Sequence, residues 1–300
     1  MKKLKRFLNS PKVAPYIFVL PFILIFGVFF VYSIGSTIVM SFQSVNINQI
    51  RFVGLENYRA LFTSSNFPVA IRNSLFYTLF TLLILIPFPV LLACMLDSKA
   101  MRGSSFYRAV LFLPILCSVV VAGLTFRFMF NETDQALVNN VIIHLFGGDK
   151  VRWLSLRWPA MAVMVTLATW RWMGINVIYF LSGLNNIPVE LFEVCEIDGA
   201  NAWQKFRYVT VPLLMPTIIY VLTISIYGGL SMFVESQMLW AGKSSPLNIG
   251  LTLVGFIYQK GISQGELGFA SAAGLSLLVV VLVINLIQLR LTGVIGKENR

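Results

Sequence analysis

Between Lys12 and Arg51 the chain carries no Asp, Glu, Lys or Arg. A signal-peptide core is only about 7–15 apolar residues long, so this stretch reads as an uncleaved membrane span. A hydrocarbon layer about 30 Å thick is crossed by roughly 20 mostly apolar residues rising 1.5 Å each. Six segments meet that requirement, at about 15–41, 73–96, 109–126, 158–182, 212–234 and 268–289. Five of the six hold no Asp, Glu, Lys or Arg, and the fourth holds only Arg171. Lipid gives backbone amides no hydrogen-bond partner, so these spans must be helices. The alternating ten-residue segments of a β-barrel are absent. The expectation is an all-α integral membrane protein, with residues 1–300 forming a single transmembrane domain.

Composition supports this. The chain is 57% hydrophobic and 12% charged, against roughly 45–50% and about 25% in soluble domains. Its net charge of +11 sits mainly at span ends, which fits membrane anchoring and not nucleic acid. Cys94, Cys117 and Cys195 are odd in number and lie in or beside apolar runs, so no disulfide framework is expected. With the amino terminus inside, Lys and Arg divide 13 inside to 9 outside, Arg171 aside. The cluster Lys2, Lys3, Lys5 and Arg6 dominates that bias, and both termini are expected to be cytoplasmic.

The stretch from about 187 to 211, IPVELFEVCEIDGANAWQKFRYVTV, falls between spans four and five. It is polar in a chain that is otherwise apolar. Leu191, Val194 and Cys195 follow helical spacing beside a stripe of Glu190, Glu193 and Glu196. Asp198 and Gly199 then interrupt the helix, because Gly readily turns the chain. Asn201 and Gln204 have the spacing of a capping box, which starts a second short helix. Pro212 is expected to open span five, where its missing N–H does least harm. A helix meant for anionic lipid would carry bases, and this one carries acids. Two readings remain at this level: a connector packed on its own span ends, or a helix that enters a basic groove on a partner.

The same stretch resembles the coupling loop of the permeases of binding-protein-dependent ABC importers. Their signature is E-A-A, three residues, G, nine residues, I-x-L-P. Here Glu193-Val194-Cys195, then Gly199, then Val209-Thr210-Val211-Pro212 keep that spacing. Both alanines, Ile and Leu are replaced. Asp198-Gly199-Ala200, Phe206 and the Pro212/Pro216 pair resemble the sugar-importer branch, which includes maltose and glycerol-phosphate permeases. So do residues 54–58, 107–114, 170–174, 183–188 and 268–272. Pro15, Tyr16 and Pro21 resemble the first permease of a non-identical pair.

The resemblance implies a type I ABC importer fold with six spans. It implies a cytoplasmic coupling loop of helix, turn and helix, in which Glu193, Asp198, Gly199, Ala200, Phe206 and Pro212 serve ATPase coupling. The implied partners are a second homologous permease in a heterodimer, two ATPase subunits that bind ATP and Mg, and an extracytoplasmic solute-binding protein. No cofactor is expected on this chain, and the implied setting is the bacterial cytoplasmic membrane.

Arg171 lies near the middle of span four, where a charge costs about 2.5–3.5 kcal/mol on insertion scales. It should therefore face a cavity, a partner or water. Trp170, Trp172 and Gly174 surround it, and aromatic faces with nearby polar groups suit a carbohydrate. Packing and interfacial anchoring of the tryptophans is the competing reading. Carried over residue by residue, the resemblance points to Trp172 and Gly174, then Gly229 and Met232 in span five. Tyr227 and Phe233 are further candidates, while Glu235, at the outer end of that span, reads as a solvated rim residue.

The segment Gly242-Lys243-Ser244 mimics a phosphate-binding loop, but position 237 is Gln where that motif needs Gly. A lone His144 gives no metal site, and no nucleophile–base constellation appears, so neither a catalytic residue nor an enzyme is expected. The leading expectation is the permease of an ATP-driven carbohydrate importer. The alternative is an ion-coupled secondary transporter, which normally places ionisable groups within its spans.

Overall fold

The computed structural model describes residues 10–46, 49–98 and 101–294. The basic cluster at Lys2, Lys3, Lys5 and Arg6 lies outside the described residues. The chain divides into two compact units. One comprises Met1–Ser64 and Ile257–Leu277, the other Ser65–Phe256 and Leu278–Arg300.

The first unit opens with helix α1, Ala14–Ser41. Pro21 sits inside it, and the turn Gly27–Val31 is wound as a π-helix. A short antiparallel hairpin comes next, β1 Gln43–Asn46 and β2 Gln49–Phe52, with Gln43 opposite Phe52 and Val45 opposite Ile50. Nothing in the apolar pattern announces this hairpin, because a strand pair so short needs only local backbone bonding. Helix α2, Glu56–Thr63, locks onto the end of α1. Asn57 Nδ2 donates to the carbonyls of Ser41 (2.8 Å) and Gln43 (2.9 Å), and Tyr58 donates to Ser41 Oγ at 2.9 Å.

The second unit is built around α7. In chain order it contains α3 Asn66–Asp97, α4 Ser104–Leu116, α5 Val119–Met129, α6 Leu137–Phe146, α7 Arg157–Leu184, α8 Val189–Ile197, α9 Ala202–Leu230 and α10 Val234–Leu239. The division falls within helix α11, Leu253–Tyr258, and within α12, Leu267–Leu291. Helix α7 packs against both halves of α3, against α4 and against α9, and α10 packs on α5.

Lipid tails are as apolar as Leu, so helices in a membrane associate through close packing and polar contacts. Small residues permit that approach here. A Cβ on Gly174 would strike the backbone of Leu111 and Phe112 in α4. One on Gly183 would meet Thr217 and Leu214 of α9, and one on Gly229 would meet Thr78 of α3.

Five helices among the described residues are long and apolar enough to cross a bilayer. The third expected span, 109–126, is not one straight helix: α4 and α5 meet at 94°. Pro114 removes a helical N–H near the end of α4, and Cys117 and Ser118 take extended ψ values of 138° and 132°. The second span begins at Asn66, earlier than expected, and breaks at Ile86 where Pro87 comes next. The fifth begins at Ala202, ten residues before Pro212. A π-turn at Phe206–Thr210 carries the helix into the prolines without ending it, so Pro212 lies within α9 and does not open it.

Between α5 and α7, buried Asn139 organises the connection. Its Nδ2 donates to the carbonyls of Asn131, Thr133 and Val151, and its Oδ1 accepts from the Val151 amide and from Trp153 Nε1.

Candidate functional site: an intramembrane cavity and a bent acidic turn

A cavity of about 420 Å³ lies between α3, α7, α9 and the start of α10. Tyr77, Trp172, Tyr179 and Tyr227 supply aromatic surface, and Thr81, Asn176, Ser225 and Ser231 supply polar groups. This mixture of apolar faces with a few placed polar atoms is what a small-molecule site requires. Helix α3 carries hydroxyls at helical spacing, of which Tyr77 and Thr81 line the cavity. Thr78 donates to the Ser74 carbonyl at 2.7 Å, and Thr81 to that of Tyr77 at 2.8 Å. Asn176 has a structural task as well. Pro89 has no N–H to give the Leu85 carbonyl, and Asn176 Nδ2 donates to it at 3.2 Å. Neighbouring side chains commonly satisfy backbone groups freed by proline in this way.

Of the residues singled out from sequence, Trp172, Tyr227, Gly229 and Met232 line the cavity. Trp170 and Gly174 do not, because a helix displays successive residues about 100° apart. Trp170 packs on Phe126 of α5, with ring centroids 5.7 Å apart, and Gly174 seats α7 on α4. Phe233 lies near Gly255, outside the lining set.

Arg171 has a partner. Its Nη1 lies 3.2 Å from Glu235 Oε1, and both side chains are only 14% exposed. The guanidinium also lies over the Trp172 ring, 5.6 Å from its centroid. Glu235 is therefore not a solvated rim residue. Helix α9 ends at Leu230, and α10, which starts at Val234, carries the carboxylate to the cavity wall and to Arg171. Sequence reasoning missed it because the two residues are 64 positions apart. It also missed Tyr77 and Thr81, although a polar stripe through an otherwise apolar span was a usable signal.

The turn between α7 and α9 is the second feature. Helix α8 ends at Asp198, and Gly199 takes φ +73°, a left-handed value that favours glycine. The Ala200 amide donates back to the Cys195 carbonyl at 2.9 Å. The expected capping box is present: Gln204 N donates to Asn201 Oδ1 at 2.9 Å, and Asn201 N donates to Gln204 Oε1 at 2.8 Å. Lys205 pairs with Glu196 at 2.8 Å across the bend. Phe192 and Phe206 turn inward onto a core that includes Phe180, Leu184, Ile187 and Leu214. Glu193, Asp198 and Gly199 stay exposed, as do Val194, Ile197 and Trp203, while Ala200 is half-buried. The exposed surface thus mixes apolar residues with acids, and is more apolar than the acid count alone suggested.

A bundle of apolar helices with an internal cavity of aromatic and polar lining, and a bent turn joining two of the cavity's own walls, is the architecture of a multi-pass membrane permease. The comparisons with known proteins agree. Residues 57–295 match the family of binding-protein-dependent transport system inner membrane components, and the chain belongs to that family. It is 49% identical over 290 residues to the arabinooligosaccharides transport system permease protein AraP of Bacillus subtilis, covering 97% of this chain and 92% of that one. It is 31% identical to the lactose transport system permease protein LacF of Rhizobium radiobacter, covering 93% and 92%. A solved bacterial ABC transporter involved in import of the acidic polysaccharide alginate has a similar chain, with 25% identity and a TM-score of 0.81 over 98% of this chain and all of that one. A second solved alginate transporter, in complex with an alginate pentasaccharide-bound periplasmic protein, matches at 27% and 0.82, covering 99% and 98%. Family membership sets aside the ion-coupled alternative.

Proposed function

We propose that this chain, acting as one permease domain, forms part of the path by which an ATP-driven importer moves an oligosaccharide inward across the bacterial cytoplasmic membrane. A single observation carries the mechanism. Helices α7 and α9 supply much of the cavity wall, and the bent turn is the direct connection between them. Phe192 and Phe206 tie that turn to the core between α3, α7 and α9. A push on the turn therefore moves the walls as packed bodies, which is how bistable membrane bundles switch.

In this reading both termini and the turn face the cytoplasm. Two ATPase subunits carry ATP and Mg and receive the turn in a groove, with Glu193 and Asp198 meeting basic groups. Gly199 and Ala200 hold the bend, and Phe206 and Pro212 join it to α9. A second homologous permease completes the path, and an extracytoplasmic binding protein delivers the sugar. The identity to arabinooligosaccharide and lactose permeases supports a neutral oligosaccharide as cargo.

Sealed vesicles containing the complete importer and its binding protein test the reading. With ion gradients collapsed, uptake of labelled arabinotriose should persist with ATP and stop without it. The substitution Glu193→Arg should leave membrane insertion intact and lower both uptake and sugar-stimulated ATP hydrolysis by at least about tenfold, since a misplaced like charge at an interface costs that much or more. Uptake that needs the gradient and not ATP would overturn the assignment. Unchanged coupling in the variant would remove Glu193 from the contact.

A further inference from the structure

The fold does not fix the charge of the cargo. The solved relatives with this architecture serve an acidic polysaccharide, while the relatives with higher sequence identity are named for arabinooligosaccharides and lactose. Within this chain, the cavity lining is where a charge preference can be built. Among the described residues that line it, Glu235 is the one charged side chain. Arg171, the base inside the fourth span, is not among those lining residues. Its guanidinium is held between the Glu235 carboxylate at 3.2 Å and the Trp172 ring at 5.6 Å.

We propose that Glu235, anchored by Arg171, is the charge-selecting residue of the cavity, admitting neutral sugars and excluding acidic ones such as uronates. The inference rests on the carbohydrate reading above and adds a residue and a rule to it. A carboxylate offers about four lone-pair sites, and the guanidinium engages it through Oε1. The remaining sites accept hydrogen bonds from sugar hydroxyls, and bonds to a charged acceptor are among the stronger ones. A uronate brings a second carboxylate to the same wall, where reduced screening magnifies repulsion. The cation that could have welcomed it is already engaged. The pair also explains how an acid is kept at this depth, since a partnered charge is far less costly to bury than an isolated one. A simple tether between α7 and α10 would show the same distance, and charge preference separates the two roles.

The test measures equilibrium binding of labelled arabinotriose and labelled trigalacturonate to the complete importer in nanodiscs, without the binding protein. The parent should prefer arabinotriose by at least about tenfold. Glu235→Gln leaves Arg171 free for an anion, and the preference should fall by about tenfold or more. The exchange Arg171→Glu with Glu235→Arg keeps a pair and presents a cation to the cavity, so the preference should reverse. A parent that binds both trisaccharides equally overturns the proposal at once. Assembled variants that keep the parent's ratio overturn it too and leave the pair as a tether, as does failure of every variant to assemble. A parent that binds neither trisaccharide overturns the carbohydrate reading instead.

Discussion

Helices α1 and α7 are each 28 residues long and use their apolar content in opposite ways. The more apolar α1 buries none of its most hydrophobic window inside the protein, whereas α7, the least apolar of the five long helices, buries half of its own. In water the ranking would be reversed, because burial would follow hydrophobicity. In a membrane an exposed Phe is already in a favourable solvent, and burial inside protein goes to surfaces that pack closely or carry polar groups. Helix α7 has Gly174 and Gly183 for close approach, Asn176 for an orphaned carbonyl, Arg171 for an ion pair and Trp172 for the cavity. Each of these lowers hydropathy, and each does something lipid cannot.

The contrast between the two helices is most exposed to failure at Gly174. Gly174→Leu drives a side chain into the α4 backbone, where no rotamer of a neighbour can yield. Overpacking of this kind costs about 1–3 kcal/mol or more, and here it falls on the contact that seats the central helix. The expected outcome is loss of folded protein from detergent extracts, read by size-exclusion chromatography. A folded variant with impaired transport alone would return Gly174 to the path, where the sequence had put it.

Trp172 lies two residues earlier on the cavity side. Trp172→Ala removes an aromatic face from the wall and the ring under the Arg171 guanidinium. An aromatic contact contributes about 0.5–1.5 kcal/mol beyond its area, so uptake of arabinotriose should fall roughly threefold to tenfold while assembly is retained. Equal uptake by variant and parent would make Trp172 a bystander.

Legibility from sequence divides along the same line. Five spans were legible because each needs only an uninterrupted apolar run. The bent turn was legible because its parts are neighbours in the chain: Gly199 makes the bend, and Asn201 and Gln204 cap the start of α9. The cavity was half legible. Three of the four residues the resemblance pointed to, Trp172, Gly229 and Met232, line the cavity, as does the further candidate Tyr227, yet periodicity alone could not say which side of α7 faces inward, and Trp170 and Gly174 went to other neighbours. Glu235 was misread because its environment depends on a partner 64 positions away and on a break after α9 that no local signal encodes. The break between α4 and α5 had a visible cause in Pro114, but proline inside a membrane helix is often tolerated, and only packing decides whether it bends.

The smallest effect is expected on α1. Phe29 is 67% exposed, so Phe29→Leu changes a mostly outward-facing side chain. With lipid against it, one large apolar side chain exchanged for another changes little, and surface substitutions of this kind usually stay within about 0.5 kcal/mol. The thermal midpoint of the assembled importer in nanodiscs should then stay within about 2–4 °C of the parent. Subunit composition on gel filtration should be unchanged. If Phe29→Leu instead released the second permease, the apolar face of α1 would be a protein interface. Its hydrophobicity would then serve association as Gly174 serves α7, and the contrast between the two helices would narrow to one of partner: another subunit for α1, its own bundle for α7.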